Sequence, residues 1–233
     1  MKIKNEIQIN YIVEVIVLDL KRNIIKFIDQ YDYNVPIFKE DIKTYILKNI
    51  DEEEIDFEKL KNNINVIIYR LIEENIIKQK IRGVYYKPTK TIFGESTISN
   101  KALIERRFLI DAYNNIKGYI VGAKLYNMLG LTTQVPNITD IVTNECKYHK
   151  IYNDTLRINI YKPKISIDND NYLYLQLLDF IENKENINIE NDNFDETIFL
   201  IIEKNNLEFE KLIKYARTTN NKKAIKKLIE IAR

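Results

Sequence analysis

Residues 57–88 read FEKLKNNINVIIYRLIEENIIKQKIRGVYYKP, and the period of the apolar residues changes partway through. Leu60, Ile64, Ile67, Ile68 and Leu71 recur at three- and four-residue intervals, which predicts a helix from near Phe57 to Glu74 or Asn75. Beyond Asn75 that spacing stops. Ile76 to Pro88 read instead as two short strands around a turn at Arg82 and Gly83, with Tyr85 and Tyr86 suited to a pleated surface. With the helix's apolar stripe turned inward, Lys59, Asn62, Asn63, Tyr69 and Arg70 lie outward or on the flanks.

Upstream, Ile12, Val13, Ile16, Val17, Leu20, Ile24, Ile25, Phe27 and Ile28 predict one long helix within Ile9 to Tyr31. Asn34, Val35 and Pro36 end it, because the residue before a proline is pushed out of the helical region. A second, short helix is expected from Lys39 to about Leu47, with Ile42, Tyr45 and Ile46 inward. Two helices, a longer third and a basic hairpin form the element order of a winged helix-turn-helix. In that arrangement the third helix lies in the major groove of DNA, while the hairpin touches phosphates or the adjacent minor groove. Residues 1–90 are therefore expected to be such a domain, carrying an extra N-terminal helix.

Charge distribution points the same way. The chain's net charge is only +2, yet between Lys59 and Phe93 eight basic residues face two acidic ones, Glu73 and Glu74. An acidic block upstream (Asp51, Glu52, Glu53, Glu54, Asp56, Glu58) conceals this patch in the total. A localised basic patch is the footprint of a polyanionic partner. Asn and Arg can pair bidentately with base edges, and Lys neutralises phosphates. The expected DNA-binding set is therefore Lys59, Lys61, Asn62, Asn63, Tyr69, Arg70, Lys78, Lys80, Arg82 and Lys87. The plain alternative is a solvated polar face, or a module for dimerisation alone.

Thr89 to Ser99 reads as a linker, with Gly94, Ser96, Thr97 and Ser99 supplying turn chemistry. Residues 95–233 are then expected to form a second, α+β domain with a helical C-terminal end. Ser99 caps a helix through Asn115 that Lys117 and Gly118 end; another helix, Gly122 to Leu129, is closed by Gly130. Strands are expected at Asp140 to Thr143, Tyr148 to Tyr152 and Thr155 to Pro163, followed by helices at Tyr172 to Glu182, Asp195 to Glu203, Glu208 to Arg217 and Lys222 to Ala232. After Gly130, Thr132, Thr133 and Gln134 lead to Pro136, either as an exposed polar edge for a partner or as a simple connection. The basic C-terminal helices, with Lys211, Lys214, Arg217, Lys222, Lys223, Lys226, Lys227 and Arg233, serve ordinary packing, an acidic partner or a second DNA contact.

Catalysis finds little support. Cys146 and His149 make a single C-x-x-H pair without the second pair that a tetrahedral zinc site needs. His149 is the one histidine, and no nucleophile-elbow or phosphate-binding glycine loop is present. A nuclease-like E-x-K at Glu182 to Lys184 falls at a polar helix end. The expectation is a non-enzymatic chain with no cofactor and no metal; a nuclease of unrecognised type is the remote alternative. A lone cysteine, no cleavable leader and no long apolar span point to the cytoplasm.

Three stretches resemble AbiEi-type antitoxins. Arg70, Leu71, Glu74 to Ile77 and Arg82 to Pro88 look like that family's wing, and Phe93, Gly94 and Glu95 like the short signature that follows it in one branch. Gly122, Leu125, Asn127 and the run Leu129 to Pro136 (LGLTTQVP) look like its second-domain core, with Thr143 in the next strand. The resemblance covers roughly residues 55–180. It implies partner-binding or structural roles for Gly83, Tyr85, Tyr86, Pro88, Gly94, Gly122, Asn127, Gly130, Thr132, Thr133, Gln134 and Pro136. It also implies a type IV toxin-antitoxin pair of the abortive-infection kind, active in phage defence. Such an antitoxin binds inverted repeats in its own promoter as a repressor, as a monomer or a dimer on DNA, and counters a nucleotidyltransferase-like toxin. The rival is a stand-alone winged-helix regulator with a protein-interaction domain.

Overall fold

The computed structural model describes residues 19–49, 57–92, 94–187, 189–190 and 193–232. The expected helical turns from Ile9 to Leu18, the acidic block from Asp51 to Asp56, Phe93 and Arg233 lie outside the described residues. The chain is α+β with a helical C-terminal end, and it divides into two compact units, 1–103 and 104–233.

In the first unit, helix α1 is described over 19–28, followed by strand β1 (Ile37–Phe38), α2 (Lys39–Lys48), α3 (Phe57–Glu73), β2 (Lys78–Ile81) and β3 (Val84–Tyr86). Ile24, Ile28, Ile42, Ile46, Ile64, Ile67 and Leu71 meet in one buried core, so each helix contributes the stripe that its period predicts. Strand order is β1-β3-β2, all antiparallel, with a bulge between Gln79 and Ile81. The sequence offers no strand signal at Ile37–Phe38: two residues pair with Tyr85 and Val84 only because the folded hairpin presents an edge. Helix α3 ends on Asn75, whose φ of +57° allows the amides of Asn75 and Ile76 to bond the carbonyls of Ile72 and Leu71.

The expected linker is partly structured. Lys90–Thr91 (β4) and Gly94–Glu95 (β5) form a two-stranded antiparallel ribbon, tied down by Asn34, Thr89 and Ser96. Gly94 has a φ of +106°, which a side chain would strain.

Ser99 does cap a helix, accepting from the Ala102 amide at 3.1 Å. That helix, α4 (Asn100–Ile104) running into a π-helical turn (Glu105–Leu109), stops six residues before Asn115. Gly118 ends no helix but opens a strand, β6 (Gly118–Val121). The second unit then runs α5 (Gly122–Met128), β7 (Thr139–Thr143), β8 (Lys150–Asn153), β9 (Ile158–Tyr161), α6 (Tyr172–Glu182), α7 (Phe194–Lys204), α8 (Phe209–Thr218) and α9 (Lys222–Ile231). Its sheet has the order β6-β7-β9-β8, with only β7 and β9 parallel. Ile141 and Ile160 on one face pack with Phe108, while Tyr119, Val121 and Val142 on the other pack with Leu175 of α6. Helices α5 to α9 close a second core around Tyr126, Phe180 and Leu212.

Candidate nucleic-acid interface

Helix α2 begins where the hairpin turns: the Lys39 amide donates to the Gly83 carbonyl at 3.0 Å. That bond brings the first turn of α2 beside Arg82. A groove of about 550 Å³ results, lined by Lys39, Glu40 and Lys43 of α2, Asn65, Tyr69 and Ile72 of α3, and Gln79, Arg82 and Tyr85 of the hairpin. Burial and the neighbouring Lys43 charge, joined by Arg82 and Lys61, pull the Lys39 ammonium below the usual lysine value, and Glu40 opposes them only in part. Lys39, Lys43 and Arg82 have no ion-paired partner among the described residues. Among the described residues the groove thus gathers positive charge that Glu40 offsets only in part, a setting that favours an anion. Asn65 adds a buried side-chain oxygen without a hydrogen-bond partner.

The expected DNA-binding residues divide among several surfaces. Arg82 and Tyr69 line the groove, and Tyr69 is 62% exposed. Lys61 sits near enough to act on Lys39 but is also paired with Glu58 at 3.4 Å. Asn62 is exposed on the outer face of α3. Lys59, Asn63 and Arg70 fall on the opposite flank of the helix, about 120° or more from Asn65 at 100° per residue. Lys78 and Lys80 turn away from Gln79 and the groove: Lys78 pairs with Glu95, and Lys80 donates to the Thr97 hydroxyl at 3.3 Å. Lys87 stacks its ammonium over the Tyr33 ring, 5.3 Å from the centroid. Tyr85 and Tyr86 are buried, and Gly83 takes a φ of +79° in the turn, while Pro88 is half-buried. Sequence reasoning misses Lys39, Lys43 and Asn65. The i, i+4 spacing of the two lysines is readable, but they precede the basic patch by some twenty residues, and it is the β1–β3 pairing and the Lys39–Gly83 bond that join them to it.

In the second unit the LGLTTQVP run is a connection held from inside. Gly130, at φ +73°, closes α5: its amide reaches Asn127 O, and Leu131's reaches Tyr126 O. Thr132 is buried, and both threonine hydroxyls and the Thr133 amide converge on the Glu190 carboxylate, which they hold below the usual glutamate range. Asn127 donates to Thr132 O at 3.1 Å. Two of the three polar side chains on the expected edge are thereby engaged; Gln134 stays exposed and Pro136 half-buried. Gly122 has a φ of +64°, and a Cβ there would lie 2.7 Å from Asp140 Oδ2. Thr143 is fully buried and bonds Lys117 O.

Cys146 is buried and directs its thiol to the carbonyls of Tyr148 and Ile160, while His149 is exposed. No group of three metal-ligating side chains occurs among the described residues. Glu182 accepts from Lys164 and Asn221, and Lys184 lies over the Phe194 ring. Several C-terminal lysines are paired as well, Lys211 with Glu208, Lys223 with Glu185 and Lys227 with Asp195. No helix among the described residues is long and apolar enough to cross a membrane. No protein-family model matches the chain, and no curated protein matches it.

Proposed function

We propose that the chain binds double-stranded DNA through a winged helix-turn-helix in its N-terminal unit. The observation that carries this reading is the convergence of Lys39, Lys43 and Arg82 on a groove walled by Asn65 and Tyr69 of α3. The helix–strand order and the β1-β3-β2 sheet support it further. In this reading Asn62, Asn65 and Tyr69 face base edges, and the three cations grip flanking phosphates. A mobility shift with duplex from upstream of its own gene tests it: changing Lys43 and Arg82 to Ala should abolish the shift at moderate salt, and an unchanged shift would refute it.

The biological role proposed with it is that of a type IV antitoxin, which represses its own promoter and counters a nucleotidyltransferase-like toxin. Support comes from the LGLTTQVP and RGVYYKP stretches. A nucleotidyltransferase-like reading frame beside the gene, toxic alone and silenced on co-expression, is the expected outcome. A second reading, a stand-alone regulator whose C-terminal unit binds a protein, draws on Met128, Val135 and Ile138, which are 62%, 71% and 38% exposed around the same connection. Absence of that neighbouring frame would favour it.

A further inference from the structure

A separate cleft lies wholly within the second unit, between the Tyr119–Val142 face of the sheet and α6. Its volume of about 650 Å³ is in the range of small-molecule sites. Val121 and Val142 form one wall, Leu175 and Leu178 the other. In the depths, Tyr119 is only 6% exposed and donates to Asp179 Oδ2 at 2.8 Å. Asp140 reaches the same space; its Oδ1 accepts from Asn159 at 2.8 Å and from the Tyr161 hydroxyl at 3.3 Å. Gly122 leaves room for the other oxygen, since a Cβ would stand 2.7 Å from it. The rim differs in kind. Lys147, His149 and Lys162 line the cleft, lie exposed and have no side-chain partner among the described residues, whereas Lys164 is compensated by Glu182 at 3.0 Å.

Each part of this lining selects for something. The apolar walls suit a ring system. Deep carboxyl oxygens accept from N–H or O–H groups, and uncompensated cations at the mouth attract an anion. A ligand matching all three has an anionic group at one end and a ring with hydrogen-bond donors at the other. We propose that this cleft is a binding site for a nucleoside monophosphate, its phosphate at Lys147 and Lys162 and its base inward toward Asp140. It would make the second unit a ligand-sensing module, independent of the DNA-binding reading of the first.

The test is calorimetric titration of the full chain with AMP, GMP, CMP and UMP, and with inorganic phosphate alone. At least one monophosphate should bind more tightly than phosphate. Reversing Lys147 and Lys162 together to Glu, both exposed and thus expected to fold, should weaken it by at least about tenfold. Changing Lys39 and Arg82 to Ala should leave it unaltered, which separates this cleft from the basic groove. Asp140→Asn should alter the preference among the four bases. Overturning results would be no binding by any monophosphate, equal affinity for phosphate alone, the same ranking of bases in Asp140→Asn, affinity insensitive to the Lys147 and Lys162 reversals, or loss with the Lys39 and Arg82 changes.

Discussion

Gly118 has no room for a side chain: a Cβ would stand 2.2 Å from Phe108 O and 2.7 Å from Val142 O. Gly118→Ala should therefore destabilise the second unit by about 3 kcal/mol or more, read as a drop in denaturation midpoint. Asparagine does elsewhere what glycine commonly does. With five glycines in the chain, Asn75, Asn206 and Asn220 supply the left-handed residue that closes α3, α7 and α8. Asn75→Val should cost about 1 to 2 kcal/mol, and Asn75→Gly should be tolerated; similar losses for both would contradict this role. Asp179 makes a pH prediction. Burial raises its pKa to about 6, with Glu182 adding to the rise and the Tyr119 hydrogen bond and Lys164 opposing it. Well below pH 4, at about pH 3 and under, the carboxyl is protonated whether the chain is folded or not. As pH rises from there to about 6 the unfolded carboxyl ionises first, so stability falls across that window and stays lower by about 3 kcal/mol above it. Asp179→Asn should gain that amount at pH 8 and almost nothing at about pH 3, measured by chemical denaturation. A gain independent of pH would show that burial of charge is not the cause.

At the scale of elements, the period of the apolar residues makes the three N-terminal helices, the hairpin and the C-terminal helices legible in the sequence itself. Ile64→Ala in α3 removes a side chain 1% exposed and should cost about 2 to 5 kcal/mol by thermal or chemical unfolding. The misreadings have a common cause. Strands β1, β4 and β5 are two residues long, too short to show a period, and each of them, like β6, exists through its pairing partner. Gly118 reads as a helix stop because helices often end in glycine; the strand partner across from it, Thr143, is twenty-five residues away. The candidate site is half legible for the same reason. Arg82 and Tyr69 stand out beside the hairpin, but the start of α2 reaches the groove through the β1–β3 pairing and the Lys39–Gly83 bond, and Lys78 is withdrawn by Glu95 on a ribbon whose sequence resembles a linker.

The whole molecule carries a net charge of +2, so any strong response of binding to salt must come from where the charges sit rather than from their sum. The N-terminal unit gathers cations on one groove, and the C-terminal unit pairs several of its own with Glu208, Glu185 and Asp195. The division predicts that DNA affinity and its salt dependence reside in the first unit, and that small-molecule binding resides in the second. Counterion release turns this into a number, since each phosphate that the protein no longer neutralises lowers the slope of log affinity against log salt by about 0.9. The decisive measurement is that slope for the full chain on duplex DNA, compared with two variants. Changing Lys39, Lys43 and Arg82 together to Ala should flatten it by about 2.7, while changing Lys78 and Lys80 to Ala should leave it nearly intact. Equal slopes for the parent and the Lys39, Lys43 and Arg82 variant, or a flattening confined to the Lys78 and Lys80 variant, would contradict the account.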